Sequence, residues 1–341
     1  MIGALDSLVL VPMVNWDNLF SDIPGHTVDG LTRGAIYALV ALGYTLVYGV
    51  MRLINFAHSE VFMVGTWAVL GIYTAIGAAE GDPLWFVIIA TLLALIGAML
   101  ASAGTALVVE RVAYKPLRKK NAPPLIFLIT AIGCSLVLLE IFGQVLKVFF
   151  GEPFGRKPIS IPSLVKTRQL IGPNGALIQT DVVTITNMQV IVFFGAVVMM
   201  FALDFFVNRS RLGRGVRAVA QDPETAALMG VNQDRIFMLV FILGGAMAGV
   251  AALLYTMQFD GTKFDVGFII GVKAFTAAVL GGIGNLRGAL LGGLLLGVVE
   301  VYASTLFDSS WADVTAFILL VLVLMVRPTG ILGESLGKAR A

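Results

Sequence analysis

Long stretches without a charged residue alternate along the chain with short polar clusters, and their lengths predict the elements. Uncharged runs occupy Gly34–Met51, Val61–Ala79, Leu84–Val109, Asn121–Leu139, Val182–Leu203 and Ile236–Phe259. Each is close to or above the roughly 20 residues that carry an α-helix across a hydrocarbon core. Three further segments share this apolar character but are interrupted or short: Val266–Leu286 contains Lys273, Gly288–Phe307 contains Glu300, and Trp311–Val326 is brief. The pattern predicts an all-α, polytopic membrane helix bundle of about nine spans, with eight and ten as neighbouring counts. On this division residues 1–31 form a peripheral extracytoplasmic segment, 32–327 the transmembrane domain and 328–341 a cytosolic tail.

Composition supports the same class. Of 341 residues, 58% are hydrophobic and 13% charged, against about 45–50% and 25% in ordinary globular chains. A soluble globule cannot hide that apolar excess, whereas a lipid-facing bundle can expose it. Cys134 is the one cysteine, which excludes an intrachain disulfide framework and a Cys-ligated metal cluster. Residues 1–14 are apolar, carry Asp6 and lack Lys and Arg, so no cleavable signal peptide is expected.

The net charge of +2 carries little information, but the placement of the charges orients the chain. Alternating the connections puts Arg52, the Glu110–Asn121 loop, the Asn208–Arg235 loop, Arg287 and the tail from Arg327 on one side, with fifteen Lys and Arg. The other side holds five: Arg156, Lys157, Lys166, Arg168 and Lys263. Positive charge accumulates on the cytoplasmic face, so the N-terminus and the Pro- and Gly-rich 151–186 loop are expected outside, and the 208–235 loop and C-terminus inside. Localisation follows as a multi-pass protein of the cell inner membrane.

Catalytic signatures are missing. The chain has no phosphate loop, no H-E-x-x-H, no G-x-S-x-G, and two histidines, His26 and His58. No active site, metal or cofactor is expected on this chain, and no nucleic-acid partner. Energy for uphill transport would then come from an ion gradient or another subunit. The deepest ionisable residues are Glu140, Lys273 and Glu300. Glu140, Gln144 and Lys147 share a helix face at i, i+4 and i+7, which suits either a polar interhelical seam that also includes Lys273 or the lining of a path. Gly245 and Gly249, then Gly288, Gly292, Gly293 and Gly297, repeat a small-xxx-small spacing that lets helices pack closely.

Three segments point to mechanism. Leu53–Glu60 joins the first two spans with four polar residues, Asn55, His58, Ser59 and Glu60, as a capping turn at the inner interface or as an element of the pathway. The Gly281–Gly288 segment, with Gly281, Gly282 and Gly284, is a second break between later spans, a hint of internal duplication with broken helices. In the 208–235 loop, Asp222 suits an N-cap, Pro223 the first helical position, Glu224 the first turn and Gly230 a left-handed C′ position. They specify a helix of about two turns, too short to stand alone, which either rests on its own bundle or inserts as a lever into a cytosolic partner.

Four strings then become specific: Gly43-Tyr-Thr-Leu-Val-Tyr-Gly-Val-Met-Arg-Leu-Ile-Asn-Phe-Ala-His; Arg217-Ala-Val-Ala-Gln-Asp followed by Ala-Leu-Met-Gly-Val; Lys273-Ala-Phe-Thr-Ala-Ala-Val-Leu-Gly-Gly-Ile-Gly; and Arg327-Pro-Thr-Gly-Ile-Leu-Gly. In this order and spacing the chain resembles the LivH-type permease subunit of branched-chain amino acid ABC importers over residues 28–333. The resemblance implies a second permease subunit, two ATP-binding subunits that hold ATP and Mg, and an extracytoplasmic substrate-binding protein. It also implies that Arg217 and Asp222–Gly230 form the coupling helix to the ATPase, and that the Asn55–Glu60 and Gly281–Gly284 elements lie near the pathway. Ser59 departs from the pattern, which usually has Gly after the His, and puts a close backbone approach there in doubt. Relatives with similar motifs carry urea or short amides, and a stand-alone gradient-driven carrier or channel is the reading from another class.

Overall fold

The computed structural model describes residues 15–150, 158–172, 176, 178–179 and 183–333. Parts of the sequence reading that concern 1–14, the tip of the 151–186 loop, and Lys338 and Arg340 fall outside these residues. Helices dominate. The chain runs α1 (Trp16–Ser21), α2 (Ile23–Met51), α3 (His58–Ala75), α4 (Leu84–Val109), a π-turn at Glu110–Tyr114, α5 (Lys115–Lys119) and α6 (Pro124–Phe150). It continues through α7 (Asn187–Arg209), α8 (Arg211–Gln221), α9 (Pro223–Leu228), α10 (Gln233–Phe259), α11 (Val266–Gly281), α12 (Leu286–Leu306) and α13 (Trp311–Val326). Short strands gather at the end of the bundle where α7 begins, and α8 and α9 lie at the opposite end. Strand β1 (Ile159–Ser160) pairs antiparallel with β5 (Gly261–Thr262), while β2 (Gln169–Gly172) lies between β3 (Ile178–Gln179), parallel to it, and the antiparallel β4 (Ile185–Thr186).

Every one of the nine predicted segments contains a helix. Six helices are long and apolar enough to cross a membrane: α2, α4 with its extension to Lys119, α6, α7, α10 and α12. In the most apolar 18 residues of each, 83% of α2 and 72% of α10 are buried within the chain, against 22%, 11% and 28% for α4, α6 and α7. The first pair forms the centre, and the second group turns Leu, Ile, Val and Phe side chains outward, as lipid-facing helices do.

Two boundaries differ from the sequence reading. The helix that holds the first uncharged run starts at Ile23, eleven residues before Gly34, and its polar opening is satisfied: Asp22 accepts the Gly25 N–H at 2.8 Å, and Asp29 accepts Gln189 Nε2 of α7 at 2.6 Å. The 110–121 loop is largely helix, since α4 passes through the π-turn into α5. Arg118 holds this extension by bonding Glu110 at 3.0 Å and Asp234 of α10 at 2.8 Å, with its guanidinium 4.3 Å from the Phe237 ring.

Small residues set the packing. Gly30 and Gly34 of α2 meet Val298 and Gly293 of α12, and Gly245 and Gly249 of α10 meet Ala103 and Ala98 of α4. In both pairs contacts rise on one helix as they fall on the other, so each pair is antiparallel, with backbones too close for a Cβ. The two pairs belong to a repeat of three helices. In α2–α3–α4 and in α10–α11–α12, the long first helix ends on a left-handed non-glycine residue, Arg52 (φ 54°) or Asp260 (φ 48°). A linker follows, 52–57 or 260–265, and then a shorter helix. In this succession the segment that corresponds to the 52–57 linker is 260–265, not the Gly281–Gly288 break that the sequence reading paired with it.

Candidate coupling and translocation elements

At the α9 end, local chemistry builds a compact unit. Ser210 caps α8 by accepting the Gly213 N–H at 2.8 Å. Gly213 is needed there, because a Cβ would lie 2.3 Å from the Val207 carbonyl oxygen and 2.5 Å from that of Phe206. Arg217 donates from Nη1 to the same Val207 carbonyl, closing the end of α7. α8 was not legible as a helix: Gly213 and Gly215 argue against one, although Val216 and Val219 share its buried face.

Asp222 then begins α9. Its Oδ1 accepts the N–H groups of Glu224 (3.0 Å) and Thr225 (3.2 Å), and its Oδ2 accepts the Thr225 hydroxyl. These bonds to the ionised form hold the Asp222 carboxyl below the usual aspartate value, led by the Thr225 hydroxyl. Pro223 occupies the first helical turn, and Gly230 adopts φ 85° while Gly230 N–H and Val231 N–H return to the carbonyls of Ala227 and Ala226. Leu228 and Met229 are 87% and 81% exposed at the tip. Two bare apolar side chains at the solvent end of a six-residue helix are the feature that the sequence reading missed. The Ala-Ala-Leu-Met run before Gly230 was its only signal.

The 52–57 linker is not a turn at the membrane interface. His58 packs edge-on against Tyr44 at 4.9 Å, and a Cβ on Gly43 would strike its Nε2. Gly43 lies eight residues before the end of α2, roughly 12 Å along the axis. The linker therefore re-enters the bundle and α3 begins at mid-depth. Its polar side chains do not cap α3, whose first N–H groups bond the backbone carbonyls of Asn55, Phe56 and Ala57. They face inward instead, where irregular backbone is tolerated at membrane depth. Asn55 accepts the Tyr114 hydroxyl at 3.2 Å, Ser59 donates to the Phe56 carbonyl at 2.7 Å, and Glu60, fully buried, accepts Ser135 of α6 at 3.1 Å and Ser59 at 3.3 Å.

Opposite Ser59 and Glu60 stands the start of α11. A Cβ on Gly267 would lie 2.5 Å from the Ser59 carbonyl oxygen, and one on Gly271 2.3 Å from Ser59 Cβ. The close approach is thus kept despite Ser59, with the glycines on the facing helix. On the α11 side, the 260–265 linker passes α3 where Thr262 and Thr66 bond at 2.6 Å. Two short helices therefore start from the centre of the molecule and point away from it.

The Gly281–Gly288 break is a tight hairpin. Gly282 and Gly284 take φ 104° and 101°, and Gly281 and Gly288 touch backbone to backbone. Asn285 caps α12 through the N–H groups of Arg287 and Gly288, and its Nδ2 donates to the Leu332 carbonyl at 3.0 Å. Ile331 and Leu332 N–H groups bond the carbonyls of Leu280 and Gly281, so the hairpin and the Arg327–Gly333 string form one packed unit. Gly284 lines a cavity of about 610 Å³ between α2, α7, α8 and this hairpin.

Lys273 and Glu140 belong to different surroundings. Lys273 contacts Glu300 at 3.0 Å and Asp313 at 2.7 Å, and the Tyr37 hydroxyl donates to Glu300 at 3.0 Å, which joins α2, α11, α12 and α13. Glu140 accepts Gln144 Nε2 at 2.6 Å on an exposed face of α6. The sequence-predicted seam that includes all three is therefore divided: Lys273 lies in a buried intrachain cluster, and Glu140 and Gln144 do not. Among the described residues no group of three or more His, Cys, Asp or Glu could hold a metal ion.

The family described as branched-chain amino acid transport system / permease component matches residues 26–324. The chain belongs to this permease family. It is 40% identical over 306 residues to the high-affinity branched-chain amino acid transport system permease protein LivH of Salmonella typhimurium, covering 90% of this chain and 94% of that one. The same identity and coverage hold for LivH of Escherichia coli. BraD of Pseudomonas aeruginosa, likewise a high-affinity branched-chain amino acid transport system permease protein, is 42% identical over 307 residues, covering 90% and 94%. This permease is accordingly a membrane transport component, and the family's matched region contains every element described above except α1, the first turn of α2, the last two residues of α13 and the Arg327–Gly333 string.

Proposed function

We propose that this permease passes branched-chain, hydrophobic amino acids inward across the inner membrane, in an importer powered by ATP hydrolysed on two separate subunits. A second permease subunit and an extracytoplasmic binding protein complete the assembly. α9 is the coupling helix that docks on an ATP-binding subunit. The observation that carries this reading is the build of α9: capped at both ends, held by α8 and tipped with the exposed pair Leu228 and Met229. A helix resting on its own bundle would turn those side chains inward.

The Lys and Arg distribution supports a cytoplasmic position for α8 and α9. In the membrane, Glu140 and Gln144 face the second permease or the path between the two, because a carboxylate is costly against lipid. The test is co-purification and uptake. The tagged permease, expressed with its ATPase subunits, should retain them, and Leu228→Ser with Met229→Ser should release them without loss of membrane insertion. Vesicles containing the complete importer should take up leucine, isoleucine and valine with ATP; transport of urea in their place would overturn the cargo assignment.

A further inference from the structure

Beside the 610 Å³ cavity lies a second of about 510 Å³, and the two share Asp204, Asn208 and Arg287. The larger falls within the roughly 300–1,000 Å³ of small-molecule sites. The walls of the pair combine two kinds of chemistry. Phe201 and Phe205, four residues apart on α7, are 62% and 67% exposed and line the second cavity. They stand in the last turns of α7 before Arg209, which places an aromatic wall where that span reaches the membrane surface.

Cations outnumber anions around the shared volume. Arg52 and Arg217 line the larger cavity, Arg209 the smaller and Arg287 both, with Asp204 as the carboxylate of each. Arg287, its side chain 73% exposed, meets Asp204 at 3.6 Å, near the outer limit of an ion pair. Arg52 makes no side-chain hydrogen bond or ion pair among the described residues, and Arg217 is committed to the Val207 carbonyl. Guanidinium groups bind phosphate oxygens in a planar, two-pronged geometry. Basic pockets between spans at the cytoplasmic surface are suited to anionic headgroups.

We propose that this paired cavity binds an anionic phospholipid, with its phosphate at Arg287, Arg209 and Arg52 and an acyl chain along Phe201 and Phe205. A soluble phosphate compound would share the arginines but gain nothing from the aromatic wall, which favours the lipid. Bound there, the lipid ties the end of α7 to the α11–α12 hairpin, next to α8. The inference rests on α7 crossing the membrane; its readout does not depend on transport or on orientation.

Native mass spectrometry of the full chain in detergent tests it, with dioleoylphosphatidylglycerol as probe, the phosphatidylcholine of the same chains as comparison and glycerol 3-phosphate as soluble competitor. Phosphatidylglycerol should bind in preference to phosphatidylcholine and resist displacement by glycerol 3-phosphate. Arg287→Gln with Arg209→Gln should weaken it roughly ten- to thirtyfold, while Lys119→Gln with Lys120→Gln leaves it unchanged. Asp204→Asn, which removes the competing carboxylate, should tighten binding, a gain that misfolding cannot produce. Equal binding of the two lipids, indifference to the arginine substitutions, or no tightening in Asp204→Asn would overturn the proposal. Displacement by glycerol 3-phosphate would also overturn it and make this a site for soluble phosphates.

Discussion

Asp222 concentrates the residue-scale argument, since one side chain satisfies two amide groups and a hydroxyl at the start of α9. Asp222→Ala should weaken that helix by removing its N-cap, and Gly230→Val should weaken it further by forcing a β-branched residue to φ 85°. Binding-protein-stimulated ATP hydrolysis in the assembled importer reads both, and it should fall while membrane insertion stays normal. The sign of any pH effect follows from the depressed Asp222 carboxyl. The cap is present above the unfolded value near 3.8 and is lost as pH falls through the lower folded value. Coupling should therefore show no Asp222-dependent change across neutral pH. Ser59 makes a second residue-scale case. The facing glycines accommodate it, so Gly271→Val should lower the detergent melting temperature, while Ser59→Gly should be tolerated.

At the scale of elements, the Lys273 cluster binds four helices at once. Lys273→Met leaves Glu300 buried beside Tyr37 without its cation, and breaking such a pair costs about 3–5 kcal/mol. Pairing the change with Glu300→Gln should recover much of the melting temperature. Equal destabilisation by the single and double variants would show that the cluster is not an ion pair in its energetics. The nine helical segments were legible because apolar length is a one-dimensional property of sequence. The α9 caps were legible because Asp, Pro and Gly act within a turn of their own positions. α8 escaped because Gly213 and Gly215 lower helix propensity, and the reason for Gly213 lies in the carbonyls at the end of α7. The depth of α3 escaped for a similar reason. Asn55 to Glu60 suit an interface turn as well as a pathway element until Tyr44, Gly43 and Tyr114 close around them, and those contacts are set by tertiary packing.

Across the whole molecule, the two three-helix units pack so that each long central helix holds the other unit's outer helix. The short helices α3 and α11 begin face to face at the centre. The proposed orientation rests on charge, and cysteine labelling in a Cys134→Ser background reads it. Position 224 should react with a membrane-impermeant reagent in inverted vesicles but not in intact cells. Labelling in intact cells would reverse the orientation. The division of labour between this permease and its ATPase is the central claim, and ATP-driven uptake of leucine into vesicles containing the complete importer measures it most directly. The account predicts uptake that requires ATP and is lost in Asp222→Ala with Gly230→Val, although the variant complex still reaches the membrane. Uptake without ATP, or full uptake by that double variant, would contradict it.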